Sequence, residues 1–262
     1  MSKEGSEVRV TRELLEQVVE VVRAAGAEVM KVYATDFQAV NKADASPVTV
    51  ADERAEALIT PRLRAIAPGV PVVAEEAVAA GDTPEVGRMF WLVDPLDGTK
   101  EFINRNGQFT VNVALIEAGV PVLGVVYAPA LEKLWAGGPA LGSWSEQDGA
   151  RRSITCRNAP DEGLTVVASR SHGDAAALDA FLAGRKVAAN ISVGSSLKLC
   201  QVAQGEADVY PRLGRTMEWD IAAGHAVVLG AGGTVECVQG GPLLYGKPGF
   251  DNPHFACWGQ RT

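Results

Sequence analysis

Positive charge is in short supply in this chain. Its 262 residues carry 24 Lys and Arg against 32 Asp and Glu, a formal net charge of −8. A protein that grips a nucleic-acid polymer needs a basic face against the phosphates, so the composition argues against that class. A small anionic substrate stays open, because bound cations can invert the local field. Cysteine is sparse as well. Cys156, Cys200, Cys237 and Cys257 lie far apart, with no CxxC pair. That argues against a disulfide framework or a zinc site and for a reduced, cytoplasmic protein. The stretch MSKEGSEVRVTRELLEQ holds no apolar core of the kind a signal peptide needs. No repeat or low-complexity segment occurs. The longest apolar stretch, residues 111–131, is broken by Glu117, Pro121 and Pro129 and is rich in β-branched residues. It reads as paired strands and not as a membrane helix. What remains is a chain 47% hydrophobic, enough for a core. Its length suits one large domain or two modest ones.

Hydrophobic periodicity places the elements. Thr11 is a helix cap, and Leu14, Leu15, Val18, Val22, Ala25, Val29 and Met30 follow at helical spacing. A second helix starts near Thr49 or Asp52, with Pro61 inside it and Pro68 as its stop. VPVVAEE is a short buried strand running into two glutamates, and MFWLVD is the next strand. FTVNVALIE, VLGVVYAP and KLWAGG continue as a meander. SWSEQDGARRS turns polar, which sets an expected division between residues 1–148 and 149–262. Beyond it come a strand at LTVVASRSH, a helix at DAAALDAFLAG, a helix and short strand in VGSSLKLCQVAQGEADVY, and a helix in MEWDIAAGHAVVLGAGG that stops on glycines. Mixed hairpins and crossovers predict an α+β or layered α/β fold.

The chemistry concentrates in DPLDGT, residues 94–99. Pro, Asp and Gly are ordinary turn residues, so the string alone reads as a turn. Its neighbours change that. Glu75 and Glu76 end one strand and Asp94 ends another, and carboxylates at successive strand ends can meet at one edge of a sheet. Asp97 and the Leu96 carbonyl follow on the loop. Oxygen ligands without nearby His or Cys suit a hard cation, Mg²⁺ or Mn²⁺, rather than zinc. Gly98 removes a side chain, and the free N–H groups after it can point at an anion.

VVAEE, WLVDPLDGTKEF and EWDIAAGHAVVLGAGG resemble the three signature stretches of the inositol monophosphatase superfamily, metal-dependent and lithium-sensitive phosphatases. The likeness is stronger to its CysQ branch, the 3′(2′),5′-bisphosphate nucleotidases. It runs through SPVTVAD, DPLDGTKEFINRNGQFTVNVALIE, LGVVYAP, SRSH, GSSLK and ADVYPRLG. The resemblance implies a layered sandwich of alternating helices and sheets, like inositol monophosphatase and fructose-1,6-bisphosphatase. It implies that Glu75, Asp94, the Leu96 carbonyl, Asp97 and Asp220 hold two or three Mg²⁺, and that Asp52 and Thr99 are the catalytic pair orienting a water. It also implies inhibition by Li⁺. Read alone, Asp220 and Asp52 are helix caps or solvated helix charges.

Phosphate monoester hydrolysis needs up to ~10²¹-fold acceleration, roughly 29 kcal/mol. One general base supplies about 10²–10⁴. The rest must come from positioning and from cations, which is why ligands outnumber bases. After Thr99 the chain has Lys100, Glu101 and Phe102, where inositol-type members more commonly have Thr and Asn before the aromatic. That departure points to adenosine 3′,5′-bisphosphate as substrate, in the recycling of a sulfate-assimilation by-product. Its second phosphate needs basic or hydroxyl partners, and Ser195, Lys198 and Arg212 match the branch motifs, with His172 facing the nucleotide. Gly98, Thr99, Lys100 and Asp220 complete the expected substrate contacts. The plainer readings are a cap for Ser195, a solvated charge for Lys198 and a strand-end polar residue for His172. Trp91 and Phe102 read as core, His225 as a core histidine, and Trp219 is undecided. The alternatives are inositol 1-phosphate or fructose 1,6-bisphosphate as substrate, or a catalytically silent metal and phosphate binder working through partners. Homodimerisation and peripheral contact with the inner membrane stay open.

Overall fold

The computed structural model describes residues 8–35, 40–41, 47–48, 50–168 and 175–260. In chain order the elements of the first part are α1 (Arg12–Tyr33), β1 (Val40–Asn41), β2 (Pro47–Val48), α2 (Val50–Ile66), β3 (Val72–Ala74), α3 (Glu75–Ala79), β4 (Met89–Asp97), α4 (Thr99–Ile103), β5 (Thr110–Glu117), β6 (Val120–Ala128), β7 (Lys133–Gly138), β8 (Gly142–Gln147) and β9 (Ala150–Ser153). They continue with β10 (Leu164–Ala168), α5 (Ala175–Leu182), β11 (Val187–Ser192), α6 (Leu197–Ala203), β12 (Val209–Arg212), α7 (Glu218–Gly230), β13 (Thr234–Cys237) and β14 (Phe255–Trp258).

Strands β3 to β9 lie in sequence order in a seven-stranded sheet, and a five-stranded sheet has the order β11-β10-β12-β14-β13. In the larger sheet only β3 and β4 run parallel; the rest is an antiparallel meander. Alternation along its strands sends side chains to two cores. Trp91, Val93, Val111, Val113, Leu115, Leu123 and Val125 pack under α1 and α2. Phe90, Leu92, Ala114, Ile116, Val126 and Trp135 pack under α6 and α7, which also meet Val167, Tyr210, Val235 and Phe255 of the smaller sheet. The layers therefore run helix, sheet, helix, sheet, and the expected layered α/β sandwich is what the chain adopts. Phe181 of α5 stacks on Trp258 at 5.8 Å, so a further helix lies against the smaller sheet.

Local chemistry accounts for the boundaries. Thr11 Oγ1 accepts the Leu14 N–H at 3.1 Å and caps α1. Pro61 lies inside α2, which ends two residues before Pro68. Thr49 is outside the described residues; Asp52 sits in the first turn of α2.

The polar stretch around residue 148 is not a bare connection. It is the β8–β9 hairpin, with Gln147 opposite Ala150. Asp148 and Gly149 take φ of 52° and 75°, the double positive φ of a two-residue hairpin turn with a fitting Asp-Gly pair. The strands read as polar because they form the sheet's edge, where every residue of β9 is exposed. The expected division at 148/149 thus falls on a hairpin tip, and the last strand of the larger sheet lies beyond it.

Candidate active site

Two aspartates three residues apart on a regular strand would face opposite sides, since the side-chain period is two. A β-bulge changes this. Asp94 pairs with Asn112 and Asp97 pairs with Thr110, so three steps on β4 match two on β5. Both aspartates are returned to one face. The Asp94 carboxylate accepts the Leu96 N–H at 3.0 Å and stabilises the bulge. The DPLD string is therefore a turn embedded in a strand, and the turn serves to put two carboxylates side by side.

Three other segments deliver acids to the same face. Strand β3 runs parallel to β4 and ends at Ala74, so Glu75 opens α3 next to Asp94. Asp52 is buried at the start of α2. Asp220 lies in the first turn of α7 and accepts the Met217 N–H at 2.9 Å. The proximity registers in the acidities. Burial pushes the Asp94 carboxyl well above the usual carboxylate range, and the charges of Glu75, Asp97, Asp220 and Asp52 push it further. Burial, Asp97 and Glu75 raise Asp220 in the same way, while the Met217 amide and Arg212 oppose the rise. As they stand, no three of these side chains among the described residues are drawn together tightly enough to hold one ion. Their number, their mutual repulsion and the absence of His or Cys fit hard, oxygen-preferring cations.

The groups around them fix their directions. Glu56 of α2, which carries no motif in the sequence, accepts the N–H groups of Glu76 at 2.8 Å and Ala77 at 2.9 Å, capping α3 from outside. Glu218 is fully buried and binds Gly246 N at 2.7 Å, Lys247 N at 3.0 Å and Lys247 Nζ at 2.5 Å, which anchors the turn carrying Asp220. Helical spacing gives no hint of either partner, because both bonds reach outside their own helix. Glu56→Ala is expected to cost about 0.5–2 kcal/mol, the range for losing a helix cap. Urea denaturation reads this; an unchanged midpoint would show that Glu56 does not hold α3.

Gly98 has φ 90° and links β4 to α4. A Cβ there would sit 3.2 Å from the Gln108 carbonyl oxygen and 3.3 Å from the Ser195 Cβ, so a side chain would crowd the neighbouring loop. Thr99 Oγ1 donates to the Leu96 carbonyl at 3.4 Å. Lys100 is exposed.

The loop before α6 meets Asp97. Ser195 Oγ and the Ser196 N–H both donate to Asp97 Oδ2 at 2.6 Å. Ser195 is not a helix cap: its φ is 55°, a left-handed conformation that a non-glycine residue holds only under constraint. Lys198 supplies part of that constraint, donating to the Ser195 carbonyl at 2.5 Å and to Val193 O at 3.4 Å. Lys198 is also no solvated charge. It is 5% exposed, and burial lowers its pKa to about 8, with Asp97 opposing and Arg212 reinforcing the shift. Arg212 ends β12 and donates to the carbonyls of Gly214 and Arg215. His172 lies outside the described residues.

Trp91, Phe102, Trp219 and His225 are core groups. Trp91 and Phe102 are fully buried. Trp219 is buried against Phe250 at 5.9 Å. His225 shares a 2.8 Å hydrogen bond with the Tyr245 hydroxyl, and burial lowers its pKa to about 3, so it is a neutral core residue.

Layered sheets with acids gathered at a strand bulge and at the starts of three helices define a class, and the chain belongs to the inositol monophosphatase family, whose sequence profile matches residues 11–258. Among its relatives is the 3′(2′),5′-bisphosphate nucleotidase CysQ of Escherichia coli K12, 46% identical over 245 residues, covering 92% of this chain and 98% of that protein. The crystal structure of CysQ from Bacteroides thetaiotaomicron, a bacterial member of the same family, superposes with a TM-score of 0.78 at 36% identity, covering 95% of this chain and 97% of the other. An inositol monophosphatase from Anabaena superposes with a TM-score of 0.72 at 25% identity, covering 94% and 90%.

Proposed function

We propose that the protein is a Mg²⁺-dependent phosphatase that removes the 3′-phosphate of adenosine 3′,5′-bisphosphate, giving AMP and inorganic phosphate. The observation that carries this reading is Asp94, a buried carboxylate that feels Asp97 of its own strand and three others, Glu75, Asp220 and Asp52, from separate segments of the chain. Bound cations compensate such a gathering of charges and let every carboxylate ionise. The nucleotide branch, rather than the inositol one, is supported by the 46% identity to the E. coli nucleotidase.

In this reading Glu75, Asp94, Asp97, Asp220 and the Leu96 carbonyl hold two or three Mg²⁺, with Mn²⁺ as a substitute. Bound there, the cations supply a water of lowered pKa and neutralise charge at both ends of an in-line displacement. The chain does the rest. Asp52 and the Thr99 hydroxyl orient the attacking water. The N–H groups after Gly98 face the phosphoryl oxygens, which the missing side chain lets approach. Lys198 and Arg212, with Ser195, Lys100 and His172, read the second phosphate and the nucleoside. Ser195 can do so only by sharing or releasing its bond to Asp97. We place this activity in the cytoplasm, in the recycling of nucleotide by-products of sulfur metabolism. Among the described residues no helix is long and apolar enough to cross a membrane.

A phosphate-release assay tests the reading. Adenosine 3′,5′-bisphosphate, 3′-phosphoadenosine 5′-phosphosulfate, inositol 1-phosphate and fructose 1,6-bisphosphate are compared side by side, with Mg²⁺ and with a chelator. The expected result is Mg²⁺-dependent turnover with the highest kcat/KM on the first. Preference for inositol 1-phosphate or fructose 1,6-bisphosphate would move the substrate to that rival, and no release from any would leave a silent binder. Millimolar Li⁺ is expected to inhibit; full activity in its presence would contradict the cation arrangement.

A further inference from the structure

Three hydroxyls and one amide connect Asp97 to the middle of β5, and their protons can be counted. Four contacts link them in a line. Ser195 Oγ lies 2.6 Å from Asp97 Oδ2, Thr110 Oγ1 lies 2.5 Å from Ser195 Oγ and 2.8 Å from Ser196 Oγ, and Ser196 Oγ lies 2.8 Å from the Asn112 amide. Each hydroxyl has one proton to give. With Asp97 ionised, as a cation ligand is, an amide oxygen facing Ser196 would leave three protons to fill four contacts, and two oxygens would touch with nothing between them. The Asn112 Nδ2 would also be buried without a partner, at about 1–3 kcal/mol for a stranded donor.

The two ends of a planar amide occupy equivalent places, so proton supply decides between them. With nitrogen toward Ser196, four protons fill four contacts. The atom left over is then a carbonyl oxygen, a cheaper orphan than an N–H. Thr110, Asn112 and Ser196 are all buried, at 0%, 1% and 3% exposure, so water does not supply the missing proton from bulk. We propose that Asn112, Ser196, Thr110 and Ser195 form a one-way hydrogen-bond relay, starting at the Asn112 amide and ending on Asp97, and that Asn112 and Thr110 are positioning residues for that carboxylate. The register places them suitably, with Thr110 opposite Asp97 and Asn112 opposite Asp94. The relay spans β5 and the loop before α6, so the two halves of the chain jointly set the direction of one carboxylate.

The proposal rests on Asp97 being a cation ligand, and the test separates the two. Mn²⁺ binding is measured by calorimetry without substrate, beside thermal unfolding of the metal-free protein. Thr110→Val keeps the shape and deletes the middle proton; Thr110→Ser keeps the hydroxyl. Partners that orient ligands typically carry 10–100-fold in metal affinity. The expected result is about a tenfold or greater loss for Thr110→Val, little change for Thr110→Ser, and for Thr110→Val/Asn112→Leu no more loss than the worse single variant. Ser196→Ala, which keeps its backbone bond to Asp97, decides the matter if Asn112→Leu does not fold. Equal affinities for the Val and Ser variants, or independent losses in the double variant, would overturn the relay. Failure of the unaltered protein to bind Mn²⁺ would overturn the cation reading itself and the relay with it.

Discussion

Asp94→Asn is expected to lower kcat on the bisphosphate by on the order of 10³-fold or more, equivalent to about 4 kcal/mol of lost transition-state stabilisation. It is also expected to make the metal-free protein more stable. Both effects come from the same charge. Asp94 is buried, and Glu75, Asp97, Asp220 and Asp52 all disfavour its ionisation. Its folded pKa lies above the unfolded value, so the folded state binds more protons. Without metal, stability therefore falls as pH rises from the ordinary carboxylate pKa through the raised one. Asparagine has the same shape and no charge, so it removes that penalty. It can still accept the Leu96 N–H, which keeps the bulge. With Mg²⁺ the order reverses. Binding stabilises the unaltered protein by mass action, whereas the variant gains less. The measurements are phosphate release at saturating Mg²⁺ and Tm with a chelator or with Mg²⁺. Near-normal turnover, or an undiminished Mg²⁺-dependent rise in Tm, would remove Asp94 from the cation site.

How much of this was legible beforehand depends on whether the signal was local. The long helix α1 announced itself by spacing and by Thr11. The meander β5 to β7 announced itself by apolar runs and turns. That Glu75 lies beside Asp94 is legible because each follows an apolar strand run; that β4 continues through Asp94 to Asp97 is not. Three strands of the smaller sheet were not seen. β11 is an exposed edge, and β13 and β14 are four residues each, too short for a period of two to stand out from loop composition. The polar composition of β8 and β9 reads as a boundary although an Asp-Gly turn joins them, because an edge strand is exposed on both faces. At the site, residue types were legible and directions were not. Nothing in DPLD by itself shows that a bulge turns both aspartates to one face. Nothing in GSSLK shows that Ser195 adopts a left-handed φ to reach Asp97. Glu56 and Glu218 act through backbone amides 20 or more residues away, a separation at which one sequence carries no pattern.

Lys198 gives the second large effect, and its burial makes the test sharper than its sequence position implied. Its ammonium reaches the Ser195 carbonyl and feels both Asp97 and Arg212. Two roles compete: a charge that meets the second phosphate, or a prop for the strained loop. Lys198→Met retains the buried stem and deletes the charge. A charge-assisted hydrogen bond contributes about 1.5–3 kcal/mol, and each 1.4 kcal/mol is tenfold. KM for adenosine 3′,5′-bisphosphate is therefore expected to rise about 10–100-fold, with inositol 1-phosphate changed by less than about threefold. A prop would fail both substrates alike, and equal losses would assign Lys198 to that role. The pH profile gives a second reading. Burial sets the Lys198 pKa at about 8, so the ammonium is present below that pH and lost above it. On the free enzyme, kcat/KM for the bisphosphate should fall as pH passes through about 8, and the Met variant should lack that limb. The profile for inositol 1-phosphate should not share it, because that substrate has no second phosphate for the ammonium to meet.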